Sequence, residues 1–289
     1  MRTAIRLAGA TVVVLAVAAV LARHAGERRV ARGGAAVRPN RVLPPDSAIA
    51  GRVEVEHTVG EYVVRLLRDS ASGDRIADIQ LRGRRVYAVR APDVRLEQVG
   101  KDLTGDHVPD VVIQQFSGGM HCCTQATVLG LGRTLQDLGT IEGADGDVTF
   151  EDVDGDGRYE ARIGDWRFAY WRDYPFSDTE VPDVILRFRD GAWTPACDLM
   201  REDPPSEREL KAKARQLTAD WSEGDPPPDV YGYAVDLVYQ GHSDLAWHFF
   251  DLAWPPRIDG KADFVRDLRE RLRGSPCWSP PATDSRVTT

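Results

Sequence analysis

Two nine-residue stretches set oxygen-bearing side chains at alternate positions, the arrangement that a hard cation requires. They read Asp102-Leu-Thr-Gly-Asp-His-Val-Pro-Asp110 and, 50 residues later, Asp152-Val-Asp-Gly-Asp-Gly-Arg-Tyr-Glu160. Calcium takes six to eight oxygens at about 2.3 to 2.6 Å, and a tight loop with acids at every second residue converges them on one point. Positions 1, 3, 5 and 9 hold Asp102, Thr104, Asp106 and Asp110 in the first loop, and Asp152, Asp154, Asp156 and Glu160 in the second. The backbone carbonyls of Val108 and Arg158 would supply position 7. Four carboxylates crowded into the second loop repel one another without a counter-ion, so it is expected to be the stronger calcium site. The first is expected to be weaker, because Thr104 is neutral and His107 stands where glycine would ease the turn. Either site would be structural rather than catalytic. The plainer alternative is that Asp-Gly turns are common in β proteins and need no metal.

An EF-hand does not fit, because its twelfth position demands a bidentate Glu and here holds Ile113 or Ile163. These are strand-loop-strand sites. They resemble the FG-GAP or VCBS-type repeats of integrin-like propellers, whose calcium loop has Asp at 1, Asp or Asn at 3, Asp-Gly at 5 and 6, and Asp or Glu at 9. The second loop fits that pattern throughout, and the first departs from it at Thr104 and His107. The resemblance implies blade-like antiparallel sheets and bound calcium. A wider likeness, over roughly residues 95–278, is to bacterial proteins that place Ser-Gly-Gly-x-His-Cys-Cys after the first loop, here Ser117 to Cys123. It extends to Phe168-Ala-Tyr-Trp171, Pro182 to Gly191 and the stretch from Asp244 to Trp278. It brings no assigned activity with it.

His121, Cys122 and Cys123 invite a hydrolase or redox reading, with a Cys-His nucleophile. No acid to orient the His is identifiable, and the spacing is wrong for zinc. Each cysteine is more simply paired elsewhere or packed as a small apolar group. Trp166, Phe168 and Tyr170 alternate, as on one strand face, and such a row could stack on sugar rings; core packing is the commoner fate. G-x-S-x-G, G-x-G-x-x-G, Walker and H-E-x-x-H motifs are all missing.

The elements that must position these residues change texture along the chain. Arg2 and Arg6 precede an apolar run, Leu7 to Ala22, with the form of an export signal (1–22), cleaved or kept as a membrane anchor. Residues 23–48, rich in Arg, Ala, Gly and Pro, read as a disordered linker. From 52 to 196 short β-branched runs cut by Gly, Asp and Pro read as strands: Tyr62 to Leu67, Ile76 to Val89, Val94 to Val99, Val108 to Phe116, Ala126 to Leu131, Val148 to Phe150, Ala161 to Trp171 and Val184 to Phe188. From 204 to 278 the period becomes helical. Ser206 with Glu209 forms a capping box, Asp229 caps a second helix, Ser243 opens a third, and a fourth stops at Gly274. Residues 279–289 read as a disordered tail. The expected fold is α+β: a β-rich domain of propeller-blade-like antiparallel sheets, then a small helical domain. The 145 residues of β texture provide about three blades, short of a closed propeller.

Residues 1–41 carry eight Arg and one Glu, so a chain total of −8 leaves −15 on residues 42–289. So acidic a body repels phosphate backbones, which excludes nucleic acid as a partner and favours cations. Four cysteines, an even number, suit an oxidising compartment, and Cys197 with Cys277 is the expected disulfide, tying the last sheet to the last helix. The expected function is a non-catalytic, calcium-stabilised module for binding or assembly. Its place would be outside the cytoplasm, periplasmic, secreted or membrane-anchored, touching the membrane only through the N-terminal segment. An exported hydrolase or redox protein and a carbohydrate-binding domain are the alternatives, and protein and carbohydrate both remain open as partners.

Overall fold

Apolar residues at period two, punctuated by turns that take positive φ, build three successive antiparallel sheets. The structure is a computed structural model and describes residues 40–119 and 123–278. The first sheet contains β1 (Arg41–Val42), β2 (Gly51–Val59), β3 (Tyr62–Asp69), β4 (Arg75–Leu81) and β5 (Arg84–Ala91), in the order β1-β5-β4-β3-β2. The second is the meander β6 (Asp93–Lys101), β7 (Asp110–Phe116), β8 (Thr124–Leu131) and β9 (Leu135–Ala144). The third is the meander β10 (Thr149–Glu151), β11 (Glu160–Gly164), β12 (Asp183–Arg189) and β13 (Ala192–Pro195). Two-residue hairpin turns join β4 to β5 and β12 to β13. At Arg82-Gly83 (φ 51° and 74°) and Asp190-Gly191 (φ 53° and 81°) both central residues take positive φ, which matches the strand twist.

The sheets pack face to face. Val111 and Ile113 of β7 join Val64, Ile79 and Val89 in one core between the first and second sheets. Val112, one residue out of phase, joins Leu186 and Phe150 in a core between the second and third. β7 is buried on both faces, which is why Val111 to Ile113 is an unbroken apolar run.

Four helices follow: α1 (Glu207–Leu217), α2 (Pro228–Tyr239), α3 (Ser243–Ala253) and α4 (Lys261–Leu272). The capping box of α1 is present, with Ser206 Oγ accepting from Glu209 N and the Glu209 carboxylate accepting from Ser206 N. Phe249, Phe264 and Leu268 continue the core of the third sheet without a break, and the described residues form one compact unit. The fold is α+β and β-rich with a helical C-terminal part, and its strand-rich and helical segments share a core. Cys197 and Cys277 are disulfide-bonded with Cα atoms 5.5 Å apart, the pairing expected from their places at element ends.

Several local expectations are corrected. Of the linker assigned to 23–48, residues 23–39 lie outside the described residues, and Arg41 to Leu43 are not linker, because Arg41 and Val42 pair with Arg90 and Val89 and Leu43 is buried in one cluster with Ile76 and Ala88. Asp229 lies inside the first turn of α2, which opens on Pro227 and Pro228, whose fixed φ suits a helix start. The strand expected to run from Ala161 to Trp171 ends at Gly164. Asp165 then accepts a hydrogen bond from Arg167 N, and Tyr170, Arg172 and Asp173 take positive φ, so the chain turns through three short 3₁₀ segments. The segments 1–22 and 279–289 lie outside the described residues. No helix among the described residues is long and apolar enough to cross a membrane.

Candidate metal centre

The two acidic loops occupy equivalent places. The first joins β6 to β7 and the second joins β10 to β11. The position-9 carboxylate accepts from the position-2 amide in both, as Leu103 N to Asp110 Oδ2 at 2.8 Å and Val153 N to Glu160 Oε2 at 3.1 Å. Position 1 accepts from position 6, as His107 N to Asp102 at 2.8 Å and Gly157 N to Asp152 at 3.1 Å. Position 5 accepts from position 7, as Val108 N to Asp106 and Arg158 N to Asp156, both at 2.8 Å. Glycines at position 4 have φ of 76° and 74°, and position 6 is likewise left-handed, at 63° for His107 and 88° for Gly157. One backbone scheme thus recurs in two sheets, and sequence spacing alone located it.

The loops also touch. Tyr159 N donates to Leu103 O at 2.8 Å, and the Arg158 side chain lies across Gly105, where an added Cβ would meet it at 2.8 Å. Leu103 is buried in the core shared with the third sheet, so packing fixes the first loop from beneath.

Their electrostatics differ. In the second loop, Asp152, Asp154 and Asp156 are exposed and offer carboxylate oxygens within 4.8 Å of one another, the one such acidic group among the described residues. Its fourth acid, Glu160, is buried and bonds Arg187, which also pairs with Asp154. The first loop holds no such convergence of acids. Instead Asp110 is fully buried and Thr104 nearly so, and Asp110 Oδ1 and Thr104 Oγ1 have no hydrogen-bond partner. Burial, aided by the charges of Asp106 and Asp102, pushes the Asp110 carboxyl up to about 7. A buried acceptor without a donor costs of order 1 to 3 kcal/mol, a cost that a cation would remove. The donors are oxygen throughout, carboxylates at positions 1, 3, 5 and 9 of the second loop and at 1, 5 and 9 of the first, where Thr104 supplies a hydroxyl at position 3; such a set suits a hard cation such as calcium, and the orphaned oxygens of the first loop are acceptors that a cation would partner.

The other candidates fare differently. Cys123 is disulfide-bonded and has no free thiol, and His121 and Cys122 lie outside the described residues. The aromatic row is not a strand face. Phe168 and Trp171 are buried in the core, Trp166 stacks on Phe176 with ring centroids 5.6 Å apart, and Tyr170 is 61% exposed. One feature that periodicity could not reveal is a groove of about 580 Å³ between α3 and α4, with a floor of Trp247, Phe250 and Val265 and a rim that includes Arg269 and Arg273. No protein-family model, curated protein or solved structure matches this chain.

Proposed function

We propose that this protein is a non-catalytic, calcium-stabilised extracytoplasmic module for binding or assembly, in which calcium fixes one strand-connecting loop in each of two adjacent sheets. The observation that carries this reading is the repeated hydrogen-bond scheme of the two loops, which leaves Asp110 Oδ1 and Thr104 Oγ1 buried and unpartnered in one and three carboxylates converging in the other. Resemblance to FG-GAP and VCBS-type loops points the same way. The Cys197–Cys277 disulfide supports an oxidising compartment, where such bonds persist. Calcium there would be structural: it neutralises carboxylates and holds two β-strand connections against each other.

Thermal melts in calcium and in chelator test the reading. Binding to the folded state alone raises stability by RT ln(1 + [L]/Kd), about 2.7 kcal/mol at a hundredfold excess over Kd. The melting temperature should rise with calcium concentration in the wild type and stay fixed in a double variant, Asp110→Asn with Asp154→Ala. Identical melts of the wild type with calcium and with chelator would refute the proposal.

A further inference from the structure

Across the β-ladder from position 9, the two loops face different residues. Asp110 of β7 stands opposite Gly130 of β8, and a Cβ at Gly130 would lie 3.4 Å from Asp110 Oδ1. In the third sheet the register that pairs Ala161 with Leu186 sets Glu160 opposite Arg187. The Arg187 guanidinium reaches Asp154 Oδ2 at 2.8 Å, Glu160 Oε1 at 3.3 Å and Asp198 Oδ2 at 3.3 Å. Positions 3 and 9 of the second loop are thus already bonded to a cation belonging to the chain. The same two positions of the first loop are Thr104 and Asp110, of which Thr104 Oγ1 and Asp110 Oδ1 are buried and unpartnered while Asp110 Oδ2 accepts from Leu103 N.

A guanidinium is charged at every accessible pH, so it opposes any second cation seated on the same carboxylates. Calcium entering the second loop must share Asp154 and Glu160 with Arg187, or draw them away from it, and in either case sit beside its charge. Asp198 gives Arg187 somewhere to turn, so the second loop is weakened rather than closed. We propose that Arg187 sets the order of affinity. It stands in for calcium at the second loop, and the first loop, faced by Gly130, is the principal calcium site. This inference rests on the calcium reading above and reverses the order that counting carboxylates gives.

The test is calorimetric titration of the full chain, disulfides intact, with calcium chloride. The wild type should show one tighter site, lost in Asp110→Asn, and a second at least tenfold weaker, lost in Asp154→Asn. Arg187→Gln should tighten the weaker site at least tenfold and leave the tighter one unchanged. Arg187→Lys keeps the charge and should stay near the wild type, which separates charge from a loss of packing. Equal affinities in the wild type, or calcium binding that Arg187→Gln leaves unaltered, would overturn the role of Arg187 while the calcium reading stood. Absence of binding heat in every variant, with no calcium-dependent melting shift, would remove both.

Discussion

Position 6 of the loops shows what a single residue contributes. His107 and Gly157 share a left-handed backbone, a conformation that glycine adopts freely and that a residue with a Cβ resists by about 1 kcal/mol. Gly157→Ala should therefore cost about 1 kcal/mol, and His107→Gly should recover up to a similar amount, both measured by urea unfolding in chelator. A destabilised His107→Gly would mean that the histidine makes a compensating contact. The acids themselves were legible in the sequence, because loop spacing is local and positions 1 to 9 belong to one continuous stretch. Arg187 was not, because it lies 27 residues beyond Glu160 and reaches it only across the β11–β12 ladder. Nor could spacing show that Asp110, rather than a residue of the more acidic loop, is the carboxylate buried with an unpartnered oxygen.

Among elements, the contact between the turns that follow β11 and the face of α2 carries a pH dependence. The Glu180 carboxylate lies where a Cβ on Gly232 would be, 2.3 Å from its Oε1, and burial with the nearby Asp236 and Asp229 charges pushes it up to about 7. A carboxyl raised in the folded state favours folding below its unfolded value of 4.5, and that favour is lost as pH rises through about 7. Glu180→Gln should match the wild type near pH 4.5 and exceed it at pH 8 by on the order of 2 kcal/mol in urea unfolding. Equal stability of the two at pH 8 would show that Glu180 is solvated after all. The Cys197–Cys277 bond closes a separation of 80 residues, so replacing both cysteines with serine should cost about 2 to 5 kcal/mol in the same assay. Element periodicity was legible for the helices and for strands buried on one or both faces. β2 was not picked out, because nearly all of its residues are exposed and its alternation reports no core. β9 was obscured by Gly139, at φ 107°, and by the register shift opposite Thr127 and Leu129. The break at Gly164 was hidden because the aromatic alternation continued past the end of the strand.

At the scale of the molecule, three sheets and a helical segment share cores that run through the second and third sheets, and the two acidic loops meet at the junction of those sheets through Tyr159 and Leu103. A body carrying −15 over residues 42–289 gains from any cation that it holds in the folded state. Calcium at the loops should therefore act on global unfolding, because the loops connect strands whose side chains lie in the shared core. The most direct measurement is the free energy of urea unfolding as a function of free calcium, at fixed ionic strength and with magnesium as a control. Stability should rise with the logarithm of calcium above Kd and respond far less to magnesium, whose smaller ion demands near-ideal octahedral geometry. The rise should be largely abolished by Asp110→Asn. A free energy of unfolding that is the same at every calcium concentration would contradict the account, and the acidic repeats would then be turns and nothing more.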